Sequence, residues 1–113
     1  MLLQMNIERQ PVIQRGKLTI DPQCCTVLLE SENISLYPKE FDVLLLLAQY
    51  PGWVLSSEQI YDAVWKESVA GCEHVVYNVI CQLRRKLKNP DLIQTMVGRG
   101  YRFVGGIRVQ NIL

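Results

Sequence analysis

The chain predicts an α+β fold in which a short antiparallel sheet is followed by three helices and a C-terminal β-hairpin. Brief β-prone runs separated by turn residues fill its first third. Three stretches with apolar residues at helical spacing come next, each bounded by Pro, Ser or Gly. Two further β-prone runs, joined by Gly98-Arg99-Gly100, complete the pattern.

Residues 1–15 mix polar and apolar side chains around Pro11 without a clear period, and read as a linker or flexible tail. Residues 17–20, 26–30 and 34–36 are β-prone, with turns expected at Asp21-Pro22 and Ser31-Glu32-Asn33. The vicinal Cys24-Cys25 reads as a strand pair. Pro38 opens the first helix at a position where its missing N–H costs nothing, and Glu40 suits the positive end of the helix dipole. Phe41, Leu44, Leu45 and Ala48 form an apolar stripe widened by Val43, Leu46 and Leu47, as in a central helix covered on more than one side. Pro51-Gly52 ends it. Ser56 or Ser57 caps a second helix with Gln59 near the capping-box position, and Ile60, Ala63, Val64 and Trp65 are its expected buried side. Residues 66–72, with Gly71, read as a loop. In the third helix Val76, Val79, Ile80, Leu83 and Leu87 recur on one face, and Asn89-Pro90 stops it. Residues 92–97 and 101–104 are the arms of the hairpin. Two helices joined by a loop, the later one polar on one side, and a terminal hairpin together make a winged helix-turn-helix over residues 16–107, with a C-terminal tail at 108–113.

At 113 residues the chain is long enough for one domain with its own core. No apolar run approaches the roughly 20 residues of a membrane span. Met1-Leu2-Leu3 has neither a basic leader nor a cleavage site, so a cytoplasmic location and no membrane association are expected. The four cysteines show no metal-ligand spacing, and Cys72-x-His74 with Cys81 is not a usual zinc pattern. The single His has no Ser, Cys or Asp partner in a recognisable catalytic motif, and Gly98-x-Gly100 does not open a helix as a phosphate cradle would. No enzyme activity, cofactor or metal is expected.

Charge is informative through its placement. The net charge is only +1, but residues 83–102 hold six cations (Arg84, Arg85, Lys86, Lys88, Arg99, Arg102) against Asp91 alone, and the rest of the chain carries six cations and ten acids. The helix dipole accounts for cations at the end of the third helix, but not for Arg99 between two glycines. At about 100° per residue, the face opposite the apolar stripe centres on His74, Asn78, Cys81 and Arg85, flanked by Tyr77, Gln82, Arg84 and Lys88. Asn78 and Gln82 suit adenine edges, and Cys81 suits a thymine methyl. Arg85 suits guanine or phosphate, and Arg84 and Lys88 suit phosphate. His74 fits a phosphate contact or plain exposure equally well. Arg99 at a hairpin tip suits a narrow minor groove. Double-stranded DNA is the expected partner.

Residues 17–105 resemble the effector domain of OmpR/PhoB-type bacterial response regulators. Leu36-Tyr37-Pro38-Lys39-Glu40-Phe41 resembles that family's approach to its first helix, and Pro51-Gly52-Trp53-Val54-Leu55-Ser56 the turn after it. Glu58-Gln59-Ile60 with Val64-Trp65 resembles the second helix. Ile80 with Leu83-Arg84-Arg85-Lys86-Leu87 resembles the recognition helix, and Gly98-x-Gly100-Tyr101-Arg102-Phe103 the wing. The resemblance implies a four-stranded N-terminal sheet, major-groove entry by the third helix and minor-groove contact by the wing. It also implies paired direct half-sites and contact between the loop after the second helix and RNA polymerase. The chain departs from the family pattern at Tyr77, Val79, Cys81 and Gln82, where the family often carries an acid, a His and arginines. It departs again at Val97, often basic, and at Tyr37, usually Thr. The receiver domain that usually precedes this domain and drives dimerisation is not among these residues, so a monomer that pairs on DNA is expected. The alternative is a winged helix that docks on RNA polymerase or another regulator without reading DNA.

Overall fold

In the computed structural model, which describes residues 9–67 and 70–104, a four-stranded meander precedes three helices and a hairpin. The strands β1 (Ile13–Arg15), β2 (Leu18–Asp21), β3 (Thr26–Leu29) and β4 (Glu32–Ile34) pair antiparallel in chain order. Ile13 lies opposite Ile20, Ile20 opposite Val27, and Val27 opposite Ile34. Directly opposed residues on neighbouring strands point to the same side of a sheet, and the burial of Ile13, Ile20 and Val27 makes this row the inner face.

The meander corrects several expectations. Residues 13–15, assigned above to the tail, form β1. Three residues are too few to show an alternation, and only the pairing with β2 makes them a strand. The last strand is Glu32–Ile34 rather than 34–36, because the turn falls at Glu30 and Ser31, with φ of 52° and 71°. Asn or Gly usually occupies a two-residue hairpin turn of this hand, so the sequence lacked the signal. Cys24 and Cys25 are both exposed and sit in the turn between β2 and β3, not in a strand. Asp21 Oδ1 organises that turn by accepting the backbone N–H groups of Gln23 and Cys24 at 3.0 and 3.3 Å. The expected tail at 108–113 and the stretch from 105 lie outside the described residues, as does the start of the N-terminal segment.

Helix α1 (Pro38–Gln49) begins at the proline as expected, and Val43, Leu44, Leu47 and Ala48 are fully buried. Its N-cap Tyr37 offers no side-chain cap; instead Glu40 Oε1 accepts the Tyr37 N–H at 2.9 Å. Helix α2 (Ser57–Trp65) carries a complete capping box, Ser56 Oγ accepting from Gln59 N at 3.1 Å and Gln59 Oε1 from Ser56 N at 2.8 Å. Ile60 and Val64 are its buried residues; Ala63, expected with them, is exposed. Helix α3 (Cys72–Lys86) starts after Gly71, whose φ of 85° is left-handed, and buries Val76, Ile80 and Leu83, with Leu87 buried just beyond it. Phe41 and Leu83 lie in the same core, with Val79 packed at its edge.

After a short 3-10 turn at Pro90–Leu92, β5 (Ile93–Met96) and β6 (Gly100–Phe103) form the hairpin. The connection between α1 and α2 runs along its free edge. Leu55 N donates to Tyr101 O at 2.8 Å, Tyr101 N to Leu55 O at 2.9 Å, and Gly52 N to Phe103 O at 2.9 Å. The hairpin is thereby tied to the helical core at a point the sequence patterns did not mark. Among the described residues, no helix is long and apolar enough to cross a membrane.

Candidate nucleic-acid interface

The polar face read from the sequence is the face that α3 turns to solvent. His74, Tyr77, Asn78 and Arg85 are exposed on it, while Cys81, Gln82 and Arg84 are half-buried. Lys88 is exposed but lies beyond the end of α3 with φ of 56°, so the helical angle expected for it does not apply. The buried stripe fixes this orientation: with four fully buried apolar side chains on one side, the opposite side is turned away from the core.

Within this face the cations divide by role. Arg84, expected at a phosphate, instead points along the hairpin: its Nε and Nη2 donate to the Ile93 carbonyl at 3.1 and 2.8 Å, and Nη2 also to Thr95 Oγ1 at 2.7 Å. One guanidinium therefore fixes β5 against α3. Lys86 is turned to the other side and pairs with the buried Glu40 at 2.7 Å, so its charge is spent inside the protein. Arg85 Nη2 donates to Gln82 Oε1, linking two of the predicted base-facing residues one helical turn apart. Arg102 Nε donates across the hairpin to Gln94 Oε1 at 2.7 Å. Of the basic cluster read from the sequence, Arg85, Lys88 and Arg99 are the exposed members.

The wing turn is short. Met96 pairs with Gly100, leaving Val97, Gly98 and Arg99 as the loop, and the Arg99 N–H donates to Met96 O at 2.8 Å. Gly98 has φ of 75° with open space around it. Gly100 differs: a Cβ there would overlap the Leu55 carbonyl, so only glycine lets β6 lie against that backbone. Arg99 is consequently held at the tip of a loop anchored on both sides.

Between the wing and the starts of α2 and α3, Ser56, Ser57, Glu58, Glu73, Thr95, Gly98 and Arg99 line an open cleft of about 370 Å³, which holds two acids and none of the predicted base-facing residues of α3. The Cys81 thiol beside the Tyr77 hydroxyl pushes that phenol above its ordinary range. Burial does the same to Tyr101, opposed by the Arg84 charge. Both rings are therefore neutral hydroxyl-bearing groups at neutral pH. Val75, 39% exposed on α3, escaped the sequence reading, although its helical angle already placed it off the buried stripe. Val97, assigned above to a strand arm at a position where the family often has a cation, lies instead in the wing loop and is 91% exposed, because β5 ends at Met96.

The model of the family described as "Transcriptional regulatory protein, C terminal" matches residues 31–103. The transcriptional regulatory protein CutR of Streptomyces coelicolor is 38% identical over 92 residues, which is 81% of this chain and 42% of CutR. The transcriptional activator CadC of Escherichia coli is 34% identical over 101 residues, 85% of this chain and 20% of CadC. The chain thus spans about two fifths or less of the length of these relatives. Among solved structures, the DNA-binding domain of Klebsiella pneumoniae RstA in complex with the RstA box superposes with a TM-score of 0.78 at 31% identity, covering 84% of this chain and 98% of that one. The DNA-binding domain of CpxR from E. coli gives 0.77 at 30% identity, covering 86% and 99%.

Proposed function

We propose that this chain, which belongs to the family of transcriptional regulatory protein C-terminal domains, binds duplex DNA sequence-specifically to regulate transcription. The observation that carries the reading is the exposed polar face of α3, with Asn78 and Arg85 on it and Arg99 exposed in the wing loop: one docked duplex would meet the helix in its major groove and Arg99 in the adjacent minor groove. The RstA domain, solved with its DNA box, supports this placement by likeness. Asn78, together with the linked Gln82 and Arg85, faces the base edges. His74 and Lys88 lie nearer the phosphates. Arg84 acts from behind, holding the wing at a fixed distance from the helix. The lone His and the half-buried Cys81 take no catalytic part, and no cofactor enters the reading.

The same proposal includes a monomer in free solution that pairs on direct half-sites about one helical turn apart, working in the cytoplasm where the chromosome is. It includes RNA polymerase as a partner of the loop after α2, of which residues 68–69 lie outside the described residues. Titration of the chain against duplex DNA at two salt concentrations tests the core of it. The observed constant should fall steeply with salt, and Lys88→Ala should make the slope shallower by about 0.9, the share of one phosphate contact. Absence of binding to any duplex at low salt would refute the proposal.

A further inference from the structure

One edge of the DNA-facing surface is apolar, and we infer that this edge reads thymine methyl groups. The inference rests on the DNA-binding proposal above and narrows it to a class of base. Three bands run along the solvent side of α3. His74, Asn78 and Arg85 form the middle one. Toward the wing lie Tyr77, 50% exposed, and Cys81 one turn further, half-buried. On the other side Val75 is 39% exposed. None of the three completes the core, which Val76, Ile80, Leu83 and Leu87 fill without them.

Single exposed apolar residues need no explanation. These flank a polar band on a helix whose neighbours, Arg85 and Lys88, draw it toward phosphates. On the floor of the major groove nearly every group is a hydrogen-bond donor or acceptor, and the thymine C5-methyl is the apolar exception. A thiol and the body of a tyrosine ring cannot replace the bidentate contact that an arginine makes to guanine, but they can cover a methyl. The Arg84 clamp on Ile93 and Thr95 sits on the same flank as Tyr77 and Cys81, so this edge is held at a constant height above the groove.

Uracil tests the inference cleanly, because it lacks only the methyl and leaves the minor-groove edge unchanged. The duplex that the intact chain recovers from a random pool is made with uracil replacing thymine at one position at a time, and each form is titrated. Binding should weaken about fourfold at one or more positions, the share of a single buried carbon. Tyr77→Ala or Cys81→Ser should bind the two forms alike at those positions. A recovered site without thymine, or equal affinity for both forms throughout, overturns the inference and leaves DNA binding standing. Discrimination retained in full by both variants overturns its assignment to this edge. Failure to recover or bind any duplex overturns the DNA-binding proposal, and this inference with it.

Discussion

Lys86 Nζ lies 2.7 Å from Glu40 Oε1 and 4.3 Å from the centre of the Tyr37 ring. The same carboxylate oxygen accepts the Tyr37 N–H. One buried acid thus closes the N-terminus of α1 and receives the last helical cation of α3. Side-chain exposures of 26% for Lys86 and 7% for Glu40 leave the pair partly in reach of water. Lys86→Ala should destabilise the domain by about 1–3 kcal/mol, less than a fully buried pair would cost. Chemical denaturation measures this, and a loss near zero would mean that water replaces the lysine.

The two wing glycines should differ when changed to alanine. Gly98→Ala meets open space and carries only the cost of a positive φ, about 1 kcal/mol. Gly100→Ala must push its Cβ into the Leu55 carbonyl and should cost more than about 2 kcal/mol or displace the hairpin. Thermal unfolding of both variants would show the ordering; equal effects would contradict the close approach of β6 to Leu55.

Arg84→Lys separates a clamp from a phosphate contact. Lysine keeps the charge but cannot donate a fork to Ile93 O and Thr95 Oγ1. Hydrogen exchange in β5 and β6 should therefore quicken, with a stability loss of about 1–2 kcal/mol. Unchanged exchange with weakened DNA binding would return Arg84 to the phosphate role its charge first suggested.

Leu83 is fully buried beneath the polar face of α3. Leu83→Ala should cost about 2–5 kcal/mol. A loss under about half a kcal/mol, typical of surface positions, would mean that the helix is rotated from the orientation on which the interface depends.

Elements with a strong period or an explicit boundary signal were legible in the sequence. The α3 stripe, the Ser56–Gln59 box and Pro38 each stand where local chemistry put them, and the wing turn falls one residue earlier than expected, at Val97-Gly98-Arg99, because Gly100 pairs with Met96. What escaped it depended on partners distant in the chain. The strand at Ile13 exists through Ile20, and the left-handed Glu30-Ser31 turn is imposed by strand pairing. The site shows the same division. Helical spacing found its exposed face, but charge counting could not tell that Lys86 belongs to Glu40 and Arg84 to the hairpin. A sequence gives the number of cations; only the fold shows which remain free.

Selection from a random duplex pool, followed by titration of the recovered duplex and a shuffled one at a single salt concentration, tests the central claim most directly. The account predicts that the recovered duplex binds at least about a thousandfold tighter. It also predicts that Asn78→Ala narrows this gap by about 1–3 kcal/mol at one base position. No enrichment, or equal affinity for recovered and shuffled duplexes, would contradict sequence reading by α3.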